Sequence, residues 1–283
     1  MAFSVSAPTA AGDRHPPEAP VFRIPGQPGR LARYEGLLIG SAAVVVFLAV
    51  WQGVAFRRIV PELFLPGPAD IANAFVAYVA RGQIWPDMWI SGQELIYGFV
   101  LSIVIGLPLG ILMGWYRRLN MALDPFVTFF YSIPRVALTP LLIIWFGIGI
   151  NSKIAVVFLG AIFAIVINTA AGVKNLDPSL IKAARSFGAS DAQLFRTIVV
   201  PGSVPFILTG LRLGLGHALT GVVVGELVAA QAGVGLMMAT AGATFQTSKV
   251  FVGIVIIATA GVVLTYLLSR IEQRFQNWKP NPA

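Results

Sequence analysis

Four stretches of this 283-residue chain run for at least 20 residues without a charged side chain: Leu37 to Phe56, Leu95 to Tyr116, Ile154 to Val173 and Val250 to Ser269. A helix of ~20 apolar residues crosses the hydrocarbon core of a bilayer. Lipid offers no partner to a backbone N–H or C=O, so a spanning segment must bond to itself as a helix or close into a barrel. Two further segments are long enough but broken. Pro125 to Ile150 carries Arg135, Pro134 and Pro140, and Val204 to Ala230 carries Arg212, His217 and Glu226. Breaks are tolerated where neighbouring helices or a water-filled cavity satisfy the freed backbone. The reading is an all-α membrane protein with six transmembrane helices, at about 37–56, 95–116, 125–150, 154–173, 204–230 and 250–269. Re-entrant or interfacial segments are the alternative for the broken pair.

Only 11% of the residues are charged, against roughly a quarter in a soluble domain. That excludes disorder for the bulk of the chain and disfavours a soluble enzyme. Where the basic residues sit decides what the net charge of +8 means. With the N-terminus inside, thirteen Lys and Arg fall on inner segments and five on outer ones. This excess places both termini in the cytoplasm, although Arg57-Arg58 runs against it. No aromatic-rich basic groove accompanies the charges, so nucleic acid is not an expected partner; membrane lipid is. Cysteine is absent and the histidines are His15 and His217, which leaves no histidine or thiolate metal site.

Residues 1–36 hold six prolines and no apolar stretch, and read as a disordered cytoplasmic tail. Between the first two spans, Leu65-Pro66-Gly67-Pro68 reads as a turn. Asp70 is placed to cap a short outer helix with Ile71, Phe75, Val76 and Val79 as its apolar side.

The longest inner loop, 174–200, has its own design. Asp177-Pro178 is a helix start, and Leu180, Ala184 and Phe187 share one face. Gly188 is placed to end the helix in a left-handed conformation. Ser190-Asp191 can cap a second short helix with Leu194, Phe195 and Ile198 as its apolar side. Pro201 stands where the chain enters the fifth span. Such a helix–turn–helix can pack on the bundle or dock a soluble partner.

Here the residues resemble a known family. Lys182-Ala183-Ala184-Arg185-Ser186-Phe187-Gly188-Ala189-Ser190, followed by Ile198-Val199-Val200-Pro201, resembles the "EAA" loop of inner-membrane permeases of binding-protein-dependent ABC importers. Ala183, Ala184, Gly188, Ile198 and Pro201 fit the pattern, and Lys182 departs from its leading acidic residue. Leu65-Pro66-Gly67-Pro68, Ile133 to Pro140, Trp145-Phe146-Gly147-Ile148, Gly225-Glu226-Leu227 and Gly233-Val234-Gly235-Leu236 resemble the branch serving nitrate, sulfonate and taurine. Bicarbonate and neutral heterocycles stay open as solutes within that branch.

The resemblance covers about residues 37–278, leaving 279–283 as a C-terminal tail. It implies the type I ABC importer transmembrane-domain fold, with a cytoplasmic coupling helix between spans 4 and 5. It implies a second copy of the chain, two cytoplasmic ABC ATPase subunits, a periplasmic substrate-binding protein and a bacterial inner membrane. Lys182, Ala183, Ala184, Arg185, Phe187, Gly188, Ala189, Ile198 and Pro201 would couple to the ATPase. No Gly-Lys dipeptide occurs, so the chain has no G-x-x-x-x-G-K-[ST] phosphate loop. ATP and Mg would be held by the partner, and no cofactor by this chain.

Residues inside the spans supply pathway candidates. Glu226 must face the interior or be neutral, since a charge in lipid costs about 2.5–3.5 kcal/mol or more. It is a gate residue or a satisfied packing residue. Arg212 lies 14 positions earlier, about 21 Å away and near the same face, so the two can line one cavity without pairing. His217 falls on the face opposite Glu226, which argues against a histidine–carboxylate centre and for a structural role. Arg135 suits an anionic solute at the inner mouth, or snorkels to the interface. Gly106, Gly110 and Gly114, like Gly210 and Gly214 or Gly221 and Gly225, recur every four residues and let helices approach closely. They serve packing within the chain or a dimer seam. A self-sufficient secondary transporter or channel is the alternative function, kept open by the broken third span but leaving the inner loop without a task.

Overall fold

The computed structural model describes residues 30–275, and every element among them is helical. In chain order these are α1 (Arg30–Phe56), α2 (Pro68–Ala80), α3 (Ile84–Trp115), α4 (Arg117–Ser132), α5 (Arg135–Phe146), α6 (Ile150–Lys174), α7 (Pro178–Ser186), α8 (Asp191–Leu194), α9 (Val200–Ala229), α10 (Val234–Ala243) and α11 (Thr247–Phe275). The chain divides into two compact units, residues 1–50 and 51–283. The first holds most of α1; the helices from α2 onward belong to the second. The expected N-terminal tail lies outside the described residues up to position 29, and α1 starts seven residues before Leu37. The tail expected at 279–283 also lies outside them.

Five helices are long and apolar enough to span a bilayer, and there are six if a bent pair is counted as one span. The bent pair is α4–α5, which turn by 98° at Ile133-Pro134. Ile133 is extended (φ −74°, ψ 127°), as the residue before a proline prefers. The segment expected as one interrupted helix from residue 125 is therefore two helices that start at Arg117, bent as in a broken span or a re-entrant loop.

Two other boundaries move. Helix α3 begins at Ile84, eleven residues before the uncharged run at Leu95. Asp87 and Glu94 do not stop it, because neighbouring elements enclose both side chains. At the other boundary, α8 does not stand apart. It continues through a π-helical turn, Phe195–Val199, into α9. Pro201 lies two residues beyond this turn, and its ring would crowd the carbonyl four residues back in an α-helical turn. A wider turn relieves that crowding.

The expected apolar face of α2 is also corrected. Ile71 and Tyr78 are buried, whereas Phe75 and Val76 are exposed. The tyrosine body outweighs the aliphatic stripe because its hydroxyl finds a partner in Asp87. Asp70 acts from the third helical position, accepting from the Gly67 N–H at 2.9 Å.

The core is built on α6. Its buried side includes Val156, Val157, Ala161, Ile165 and Val166. Helix α3 packs along it in parallel register. Gly98 faces Val157, Gly106 faces Ile165, Gly110 faces Thr169 and Gly114 faces Val173. Helix α9 packs on α6 antiparallel, with Gly210, Gly214, Gly221 and Gly225 against Asn168, Ile165, Val157 and Lys153. All the glycines singled out by their four-residue spacing thus lie on seams within one chain. A Cβ at Gly114 would come 2.5 Å from Val173 Cβ and 2.9 Å from a backbone carbonyl. Overpacking of that kind costs roughly 1–3 kcal/mol. Gly114→Ala should therefore lower the melting temperature of the detergent-purified protein by several degrees, whereas Gly92→Ala, with open space at its Cβ, should not.

Candidate functional site

The α7–α8 segment joins α6 to α9 at one end of the bundle. Asp177 caps α7 by accepting from the Ser179 N–H at 2.8 Å, and that bond holds its pKa below the usual carboxylate range. Gly188 ends the helix with φ +81°, a left-handed conformation that side chains disfavour. Ser190 caps α8 reciprocally with Gln193. Arg185 bridges the two arms to Asp191 at 3.4 Å, an exposed pair that steadies the turn more than it stabilises the fold.

The stripe on the first arm is bare. Phe187 is 93% exposed, Leu180 is exposed and Ala184 half-exposed. The second arm is anchored. Leu194 and Val199 are fully buried, and Trp115, at the end of α3, meets Phe195 edge-on at 4.9 Å. The knob thus joins an exposed apolar tip to a base set into the spans. Lys182, at the family's acidic position, is exposed.

The opposite end holds a polar clamp. Glu226 is fully buried. Its carboxylate accepts from Ser91 Oγ at 2.5 Å and from the Gly235 N–H at 2.5 Å. Ser91 Oγ in turn accepts from the Val234 N–H at 3.0 Å, and Asp87 accepts from the Gly233 N–H at 2.9 Å. Asp87 also accepts the Tyr78 hydroxyl; burial, then that carboxylate, raise the tyrosine pKa. The segment Gly233–Gly235 is thereby bonded to α3 and α9 through every backbone N–H it has. Glu94, 2% exposed, lies beside Glu226, and its Oε2 has no protein partner. With Lys153 it lines a cavity of about 230 Å³. The Lys153 ammonium donates to the Ile148 and Gly149 carbonyls that precede α6.

Residues 106–277 match the family described as binding-protein-dependent transport system inner membrane component. The chain belongs to this family. It is 36% identical over 253 residues to a putative aliphatic sulfonates transport permease protein, SsuC, of Bacillus subtilis, covering 89% of this chain and 91% of that one. It is 34% identical over 253 residues to the taurine transport system permease protein TauC of Escherichia coli, covering 88% and 91%. Its fold resembles a chain of the inward-facing methionine ABC transporter MetNI, with a TM-score of 0.57, 21% identity and coverage of 69% and 95%. The protein is a membrane-embedded permease subunit of an ABC importer with the type I transmembrane fold.

The structure places the permease's remaining candidates apart. Arg212 donates to Glu272 on α11 at 2.5 Å, and to Ser269. Its partners are on α11, whereas those of Glu226 are on α3 and in the Gly233–Gly235 segment. Arg135 meets His217 instead, at 3.2 Å. A single helical wheel says nothing about a neighbour 82 residues earlier. Asp87, Ser91 and Glu94 are hidden from a count of uncharged runs because they precede the run that starts at Leu95. The signal was there: Asp87, Ser91, Glu94 and Gly98 recur at three- and four-residue spacing, the period of one helical face.

Proposed function

We propose that the permease works as a homodimer in a bacterial inner membrane. Both termini are cytoplasmic, two ABC ATPase subunits dock below, and a periplasmic substrate-binding protein delivers the solute. Residues 37–278 form the transmembrane domain, and the loop 177–200 carries the movement of the ATPase dimer to the spans. The solute is a small anion such as nitrate, a sulfonate or taurine. ATP and Mg are bound by the partner subunit, so hydrolysis belongs to it and this chain carries no cofactor.

The observation that carries this reading is the knob. A capped, exposed apolar helix tip on a buried base suits a rigid lever pushed by a partner. Residues 183–189 form the tip, and Ile198 and Pro201 belong to the base. The named relatives and the inner excess of Lys and Arg support the anion and the orientation. A cysteine placed at Leu180 should cross-link to the ATPase subunit in membranes, and the ATPase should co-purify with the permease. Uptake by right-side-out vesicles loaded with ATP and supplied with the binding protein outside should follow ATP and ignore an imposed proton gradient; uptake driven by the gradient alone would favour a secondary transporter. The purified permease by itself should take no label from a photoreactive ATP analogue, and specific labelling of this chain would refute the division of labour.

A further inference from the structure

We propose that Arg135 and His217 form an anion site midway along the spans, where a small oxyanion is held in transit through the permease. The inference rests on the importer reading above and adds a place and a chemistry to it.

Arg135 is the first residue of α5, directly after the 98° break. His217 lies 12 residues before the end of α9, about 18 Å from that end at 1.5 Å per residue. At this level α6 and α9 touch backbone to backbone: a Cβ at Gly160 would sit 3.1 Å from the His217 carbonyl. The pair is therefore deep in the membrane, and both side chains are half-buried.

The donor count points to the ligand. A guanidinium has five N–H donors and no acceptor. One N–H meets His217 Nδ1 at 3.2 Å. Since arginine only donates, Nδ1 must accept, and the ring proton sits on Nε2. The Tyr131 ring lies 5.7 Å from the guanidinium carbon and supplies a face, not a lone pair. No carboxylate pairs with Arg135 among the described residues. The remaining guanidinium N–H groups are donors gathered around one positive charge, and His217, which takes one N–H, holds the fork in place; its Nε2–H points away from Arg135 on the far side of the ring. An uncompensated cation at this depth is costly unless it faces an aqueous path. What such a site lacks is a compact group with several acceptor oxygens and a negative charge, which is what sulfonate and nitrate offer. Arg135 begins where α4 turns away at the 98° break, and its side chain stays half-exposed.

The test uses cells in which variants replace the chromosomal copy, so that the permease works with its own ATPase and binding protein. Uptake of labelled taurine, ethanesulfonate and nitrate is measured, with riboflavin as a neutral comparison. In purified complexes, binding-protein-stimulated ATP hydrolysis is measured as well. Deleting the permease should abolish uptake of at least one of the anions. If it abolishes riboflavin uptake alone, the anionic-solute reading fails, and this site with it. Given anion uptake, Arg135→Gln should lower its rate at least tenfold while stimulated ATP hydrolysis stays within twofold. Arg135→Lys, which keeps the charge but not the fork, should be intermediate. His217→Gln, which retains an acceptor and a donor, should fall by no more than threefold, and His217→Leu by more. Wild-type anion uptake by Arg135→Gln overturns the site. So does a parallel loss of hydrolysis and of permease from the membrane in both Arg135 variants, which marks a packing residue.

Discussion

Gly233→Ala should destroy the end of the permease opposite the knob. Gly233 has φ +123°, a conformation that an alanine holds only under strain, and an added Cβ would lie 2.2 Å from Glu226 Oε1 and 2.4 Å from Cδ. Glu226 cannot yield, because Ser91 and the Gly235 N–H fix both of its oxygens. Either the segment detaches from α3, leaving a buried carboxylate with donors missing, or α9 shifts. Backbone strain and the loss of a buried charged hydrogen-bond network each cost on the order of a few kcal/mol. A loss of about 3 kcal/mol or more should appear as a melting temperature lower by many degrees, and uptake should fall to background. Glu226→Ala should reproduce the result by unpairing the donors. Gly242→Ala, in the same region with open space at its Cβ, should match the wild type. A normal melting temperature for Gly233→Ala would show that the clamp does not hold this end together.

Gly188→Val should be equally damaging to transport and harmless to the spans. Gly188 also has a left-handed backbone (φ +81°), but nothing lies within 4 Å of its Cβ position. The cost is confined to local conformation, roughly 1–2 kcal/mol and more for a β-branched residue. It is relieved by swinging one arm of the knob against the other. The tip then misses its contact while Leu194 and Val199 stay buried. The variant should insert and melt like the wild type, yet take up no solute. Gly188→Asn, which tolerates this conformation, should retain most of the activity. Normal uptake by the valine variant would refute the lever; equal failure of asparagine and valine would show that the glycine matters for space at the contact and not for its backbone.

The two predictions separate what the sequence reveals from what it hides. The knob was legible residue by residue because its signals are local: Asp177-Pro178 opens a helix, Gly188 closes it and Ser190 starts the next. The glycine spacing was legible as a close-packing face, and only coordinates could assign it to α6. The clamp was not legible. Its parts come from positions 87–91 and 226–235, and hydrophobicity treats a charged residue as an edge to a span. When a neighbour satisfies that charge the edge vanishes, and α3 runs through it. The Gly233-Val234-Gly235 segment was noticed as a resemblance; its physical reason is the carboxylate lying against it. The same blindness to tertiary partners left Arg135 and His217 unconnected.

The parallel seam between α3 and α6 acts as a ruler. Its contacts keep a constant offset of 59 positions, from Gly98 and Val157 to Gly114 and Val173. One inserted residue inside either stretch would turn every later position by about 100° and pull the glycines off the partner helix. Evolution can therefore alter this subunit's length only outside the seam, in the loops before Ile84, around Gly147–Gly149 and before Gly233. Insertions and deletions among homologues should cluster there, and aligned gaps should be absent between 98 and 114 and between 157 and 173.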